Sequence, residues 1–297
     1  MNKLQIPCSY QGGKQRLAKQ IVDIMLADNV KEFGNTGNTQ FYDICCGSGA
    51  VSIEMMNRGV KRENIHMVDL SPWGVFWEMI GNETFDINLF KDFIDTIPRD
   101  ITKIKQYALD ILSSSVDDNM MIYHFLFLQS CAFGSTATWI ENNEWKKAGG
   151  LRDYWMPTET SNRKSPVNPM MPMPDSLYSR VALLCDEASG INGYCMDVFD
   201  FCHILDEEWD IKKNRNMIVY IDPPYMGTQQ YGYSFDVANL ESGIWNNCPI
   251  YISEGVKLER AKRYYLLSTG RKKGNINGKV KKKLVEEWLN VFEYDMH

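Results

Sequence analysis

What the chain lacks narrows its class before any motif is read. No stretch of its 297 residues approaches the about 18 consecutive apolar residues that a membrane-spanning helix needs. The opening residues, Met1-Asn2-Lys3-Leu4-Gln5-Ile6-Pro7, hold no long apolar core, so no signal peptide is expected. There are only four histidines, and the eight cysteines form no C-x-x-C pair, which leaves zinc no recognisable ligand spacing. Scattered thiols without such a pattern fit a reducing, cytoplasmic compartment. A phosphate-binding P-loop is missing too: Gly12-Gly13-Lys14 runs into Gln15, and the earlier glycine is absent. No internal repeat is visible.

Basic charge is scarce overall, for the net charge is −6. Its distribution is uneven. From Lys257 to Lys283 there are eleven Lys or Arg against one acid, Glu259, so this segment carries about +10 and the remainder about −16. A local basic patch on an acidic body can grip phosphates while limiting indiscriminate binding. It is equally the composition of a solvated loop. Hydrophobic content of 44% and aromatic content of 12% provide for an ample core, enough for one large domain or a core with an inserted lobe.

The first strong strand signal is Gln40-Phe41-Tyr42-Asp43-Ile44, which feeds Cys45-Cys46-Gly47-Ser48-Gly49-Ala50 and a helical stretch over 51–57. A second strand, 64–68, ends at Asp69, and Ser71-Pro72 starts another helix. Strand, glycine turn, helix, strand and acid make the opening of a Rossmann-like βαβ unit. Helical stretches follow over 88–97, 100–114 and 118–133, then a Gly-, Trp- and Pro-rich section over 134–174 whose end, 168–174, is expected to be irregular. Alternation resumes with a strand over 191–196, a helix over 198–205 and a strand ending at Asp222; 251–253 reads as a further strand. The runs 263–268 and 284–292 are expected to pair as a hairpin, although the second also suits a helix. Gly49 and Asp222 stand 173 residues apart, whereas a βαβ unit takes about 30. Roughly 100 residues are therefore expected to leave the sheet after its second strand and return before its third.

The most informative tetrapeptide is Asp222-Pro223-Pro224-Tyr225, directly after the apolar run Met217-Ile218-Val219-Tyr220-Ile221. Two prolines forbid continuation of the strand. A carboxylate, a backbone carbonyl and a ring are thereby held on a stiff turn at a strand's carboxyl end, where ligands bind in open α/β sheets. The turn Gly47-Ser48-Gly49 lets a ligand approach the backbone, and Asp69, 20 residues past Gly49, is placed to accept hydrogen bonds from ribose hydroxyls. Those two features suit a nicotinamide dinucleotide or a nucleoside cofactor without pyrophosphate; Ser52 in place of the fingerprint's third glycine favours the latter. Tyr10-Gln11-Gly12-Gly13-Lys14 offers a ring and an ammonium beside a Gly-Gly turn.

Together these segments resemble the Dam-like, D12-class alpha group of DNA adenine-N6 methyltransferases. Tyr10-Gln11-Gly12-Gly13-Lys14 is similar to motif X, 41–50 to motif I with Asp43, Gly47 and Gly49, Asp69 to the motif II acid, and Asp222 to Tyr225 to motif IV. The order, with motif X first and a long insertion before motif IV, is that of the alpha group. Tyr10 departs from a usual tryptophan and Cys45-Cys46 from a usual Pro-Phe. The resemblance implies an α/β, Rossmann-like S-adenosylmethionine-dependent methyltransferase sheet with a mostly helical inserted recognition lobe. The catalytic domain would comprise residues 1–78 and 190–297, and the target-recognition domain residues 79–189. It implies S-adenosylmethionine as cofactor, with Tyr10 and Lys14 at its methionine part, Asp69 at the ribose and Asp197 facing the adenine; Asp200 is a rival for that last place. Asp222, Pro223, Pro224 and Tyr225 would receive the target base.

The chemistry suits these residue types. An exocyclic amine is a poor nucleophile because its lone pair is delocalised; a carboxylate and a carbonyl that accept its two N–H bonds free that pair. A base inside double-stranded DNA must be flipped out, with Tyr225 stacking on it and Tyr231 and Tyr233 closing over it. Trp139, Trp145, Lys146, Lys147, Arg152, Tyr154 and Trp155 are candidates for DNA contact or for lobe core. Alternatives are an RNA adenine or DNA cytosine-N4 methyltransferase, a catalytically silent DNA-binding scaffold, and a nicotinamide dehydrogenase.

Overall fold

A computed structural model describes residues 3–34, 37–152, 171–208, 216–224, 248–271 and 284–293. The chain begins with α1 (Ala18–Phe33), β1 (Gln40–Ile44), α2 (Ala50–Asn57), β2 (Ile65–Asp69) and α3 (Pro72–Gly81). It continues through α4 (Ile87–Thr96), α5 (Ile101–Ser113), α6 (Met121–Cys131), β3 (Thr138–Glu141), β4 (Glu144–Lys147) and α7 (Pro174–Glu187). Last come β5 (Asn192–Cys195), α8 (Val198–Glu208), β6 (Met217–Ile221), β7 (Ile250–Glu254), β8 (Arg263–Arg271) and β9 (Leu284–Phe292). No described helix is long and apolar enough to cross a membrane.

Seven strands form one sheet in the order β5-β2-β1-β6-β7-β9-β8. The first five are mutually parallel; β9 runs antiparallel to β7, and β8 antiparallel to β9. This is a mixed, mostly parallel, Rossmann-like α/β fold. All five residues of β6 are buried, as a central parallel strand covered on both faces requires. The chain builds outward from β1 to β2 and β5, then returns to β6 on the other side of β1. That reversal between β1 and β6 is a topological switch point, and the crevice beyond its carboxyl ends is where such sheets bind ligands.

Strand alternation sorts the core into two layers. Phe41, Ile65, Met67, Ile218, Tyr220, Tyr251, Leu289 and Val291 face α1 to α3, together with buried residues of α4 to α7. Tyr42, Ile44, Val68, Val219, Ile221, Ile250 and Ile252 face Val198, Phe201 and Cys202 of α8. The period of two has a further consequence. Asp43, Asp69, Asp222 and Glu287 share parity with the first set, so four carboxylates from four strand positions fall on one face.

The expected helices of the long excursion are present within about three residues of their expected ends. Asp86 and Asp100 cap α4 and α5 by accepting hydrogen bonds from backbone N–H groups of the first turn. Two features differ from the reading of the sequence and a third agrees with it. The excursion contains the β3–β4 hairpin, turned by Asn142 and Asn143, both at positive φ (52° and 60°), the conformation a two-residue type I′ turn demands. Pro174 is not irregular but opens α7, where its missing N–H costs nothing. The segment 284–292 is a strand and pairs with β8 as the expected hairpin. The expected boundary at 78/79 lies inside α3, whose Trp73, Phe76 and Trp77 are fully buried and join the same apolar cluster as Phe90, Phe125 and Leu126.

Candidate active site

The carboxyl ends of β1, β2, β5 and β6 and the loop over residues 10–14 line a cleft of about 1080 Å³, its open mouth included. Tyr10, Lys14, Asp43, Gly47, Asp69, Asp197, Asp222, Pro223 and Pro224 all line it. Asp200 does not: it is exposed on α8, whereas Asp197 sits at the helix start and accepts the Phe199 N–H at 2.8 Å. Tyr225, Tyr231 and Tyr233 lie outside the described residues, as do Tyr154, Trp155 and the stretch 272–283 of the basic segment.

The glycine turn is shaped by close approach. Gly49, behind the cleft wall, has φ 75°, and a Cβ there would lie 2.4 Å from the Trp77 ring. A Cβ on Gly47, φ 50°, would stand 2.8 Å from the Tyr10 ring, so the absence of a side chain is what brings Tyr10 over the turn. Trp77 Nε1 donates to the Gly47 carbonyl at 2.9 Å, and the Gly47 N–H donates to Asp69 Oδ2 at 2.7 Å. Asp69 Oδ1 accepts from the Ser71 N–H at 2.9 Å and the Ser71 hydroxyl at 2.5 Å. Asp69 thus braces the turn against the end of β2, and its Oδ2 keeps room for a second donor. Burial pushes its carboxyl above the usual range.

Asp43, 1% exposed, accepts from the Ser52 hydroxyl at 2.7 Å and the Ser52 N–H at 3.1 Å, both on Oδ2. Burial pushes its carboxyl up to about 7, with Asp222 and Asp69 adding repulsion against the two Ser52 hydrogen bonds. Ser52, which replaces the third fingerprint glycine, is therefore the partner of a buried acid.

Asp222 continues the sheet one step past β6, its N–H donating to the Ile44 carbonyl at 3.1 Å. Lys14, 4% exposed, reaches it from the loop. The ammonium donates to Asp222 Oδ2 at 2.8 Å and to the Gly12 carbonyl at 2.9 Å, and lies 3.3 Å from Glu287 Oε1. It is also 2.6 Å from Asp222 Oδ1, but off the bonding direction, so that among the described residues this oxygen receives no hydrogen bond. Burial pushes the Asp222 carboxyl up to about 6 against the pull of Lys14, with Glu287 and Glu254 raising it further. The resemblance places Lys14 at the methionine part of the cofactor; here it lines the cleft and bonds Asp222. Glu287 went unnoticed, although its parity with Leu289 and Val291 marked it as an acid on a buried face.

Within the basic segment, Lys257 lies 4.4 Å from the Trp288 ring centroid, and the Arg263 guanidinium is engaged by Asp28 and Glu293. Lys146 and Trp145 lie on the β3–β4 hairpin, Trp145 buried and Lys146 paired with Glu144. Arg152 is buried and donates to the Ala132 carbonyl.

Comparison with known proteins places no family model on the chain and matches no curated protein. Among solved structures, the chain is similar to the rRNA methyltransferase aviRa from Streptomyces viridochromogenes, at 14% identity over 93% of this chain and 84% of that one, with a TM-score of 0.32. The functional reading accordingly rests on the residues of this cleft.

Proposed function

We propose that the chain is a methyltransferase that uses S-adenosylmethionine to methylate the N6 amine of adenine in DNA, on a base turned out of the double helix. The observation that carries this reading is Asp222. It is a largely buried carboxylate, 16% exposed, at the switch point of the sheet and fixed by two prolines; its Oδ2 already accepts an N–H donor, and its Oδ1, 2.6 Å from the same ammonium, receives no hydrogen bond among the described residues.

The residues present suit the cofactor. A sulfonium is cationic and finds Asp43, Asp69, Asp197 and Asp222 around one cleft. The open turn at Gly47, roofed by Tyr10, admits a flat or extended ligand against backbone, and Asp69 Oδ2 can accept from a ribose hydroxyl. Bound there, S-adenosylmethionine would supply a methyl group already activated by positive sulfur, so no metal or covalent nucleophile is required of the protein. Asp222 and the Pro223 carbonyl accept the two N–H bonds of the target amine. The nitrogen would move toward tetrahedral geometry and its lone pair would form the N–C bond as the methyl carbon's bond to sulfur breaks, the sulfur leaving as a neutral thioether; Asp222 would offset the positive charge on nitrogen and take its surplus proton. Tyr225, next in the chain, is assigned to stack on the flipped base.

Residues 79–189 are assigned to target recognition, and the segment from Lys257 to Lys283 to phosphate contact. The test is transfer of a labelled methyl group from S-adenosylmethionine to unmethylated DNA and to RNA. Label in DNA that depends on duplex substrate supports the reading. Label confined to RNA moves the substrate class, and no label in either overturns it.

A further inference from the structure

Lys14 poses a problem that the transfer chemistry does not solve. Its ammonium sits on the same carboxylate that the target amine must use, and the side chain is only 4% exposed. Once displaced, a buried cation cannot simply turn to water, and stranding it without an anion is strongly unfavourable. A second anion lies within ion-pair distance. Glu287 projects from β9 on the same sheet face as Asp222, and its Oε1 is 3.3 Å from Lys14 Nζ. Strand periodicity would ordinarily give that position an apolar residue, as it does at Leu289 and Val291, both fully buried.

We propose that Glu287 is a positioning residue of the reaction: it takes over the Lys14 ammonium when the incoming amine claims Asp222. This rests on the function proposed above. The exchange is balanced in charge and in hydrogen bonds. Asp222 releases one N–H donor and gains another, while the ammonium keeps the Gly12 carbonyl and tightens on Glu287, a contact already within ion-pair distance. No large movement is needed. Lys14 thereby screens Asp222 until an amine of sufficient hydrogen-bonding power displaces it, and Glu287 sets how readily it leaves.

The test compares the wild type with Glu287→Gln, Glu287→Asp, Lys14→Met and the Glu287→Gln/Lys14→Met double variant, using unmethylated amplified DNA as methyl acceptor. Glu287→Gln should raise KM for DNA about tenfold with kcat changed by less than about threefold, the loss of one partly buried ion-pair partner. Glu287→Asp should recover part of that loss. In the Lys14→Met background the Glu287→Gln change should have almost no effect, because there is no ammonium to receive. The acid limb of the pH profile should also move to lower pH in Glu287→Gln. Asp222 is faced by Lys14 from the loop, Glu287 from β9, Glu254 from β7, Asp43 from β1 and Tyr220 and Cys45 beside it, and the change removes one of the negative charges that raise it. An unchanged KM in Glu287→Gln, or the same penalty with and without Lys14, overturns the proposal while transfer by the wild type persists. Absence of transfer by the wild type overturns the proposed function itself.

Discussion

Two acid–base pairs tie the amino-terminal segment to the sheet, and they are built differently. Asp28 of α1 meets Arg263 of β8 in a two-pronged arrangement at 3.0 and 2.8 Å, and its Oδ2 also accepts the Tyr251 hydroxyl at 2.7 Å. Every prong is matched, so an incoming ligand would find no vacancy. Asp222 and Lys14 meet through a single ammonium that also touches Gly12 and Glu287, and Asp222 Oδ1, 2.6 Å from it, receives no aligned hydrogen bond among the described residues. The first pair is a fastening. The second is a contact designed to be exchanged, and it lies at the switch point where the fold binds ligands.

The comparison breaks most readily at Asp222. Asp222→Ala should lower methyl transfer by roughly 10³-fold, the scale of losing a main transition-state contact, while the thermal unfolding midpoint stays close to that of the wild type. Loss of the folded state in this variant would place Asp222 with the fastenings.

Asp43 offers a pH-resolved contrast. Its carboxyl is raised from 3.8 to about 7 by burial, so the folded state holds its proton more tightly than the unfolded chain. The stability this contributes is complete below pH 4 and is lost as pH rises through about 7. Asp43→Asn cannot ionise and should become more stable than the wild type with rising pH, by up to about 4 kcal/mol at pH 8. Chemical denaturation at pH 4, 6 and 8 measures the trend; a difference independent of pH would mean that Asp43 titrates alike in the folded and unfolded states.

Asp28→Asn should cost about 2 kcal/mol of stability, less than a fully buried pair because Arg263 is partly exposed. The specific activity of the folded fraction should not change. A fall in kcat without unfolding would show that the fastening also shapes the cleft. The smallest effect concerns acidity: the wild-type transfer rate should fall as pH drops through about 6, where Asp222 becomes protonated and loses the negative charge that offsets the developing charge on nitrogen. A rate flat from pH 8 to 5 would exclude that role.

Much of the site could be read from the sequence because its acids end apolar strands. Asp43, Asp69 and Asp222 each sit at or just beyond a run of β-prone residues, and parallel pairing then gathers those ends at one edge. The β3–β4 hairpin was missed although Asn142-Asn143 between two tryptophan-bearing runs is a local signal. Glu287 and the Asp28–Arg263 pair were not legible for a different reason. Each depends on residues more than 230 positions apart: the β8–β9 hairpin is expected from its two β-prone runs, but its pairing with β7, which brings it to the amino-terminal segment, is dictated by no local pattern. Position along the strand could mark Glu287 as a buried acid, but not name Lys14 as its partner.

The most direct measurement of the central claim is nucleoside analysis of unmethylated duplex DNA after incubation with S-adenosylmethionine and either the wild type or Asp222→Ala. The account requires N6-methyladenine in the DNA treated with the wild type and none above background with the variant. Methylation at another atom, or equal N6-methyladenine from both proteins, would contradict it.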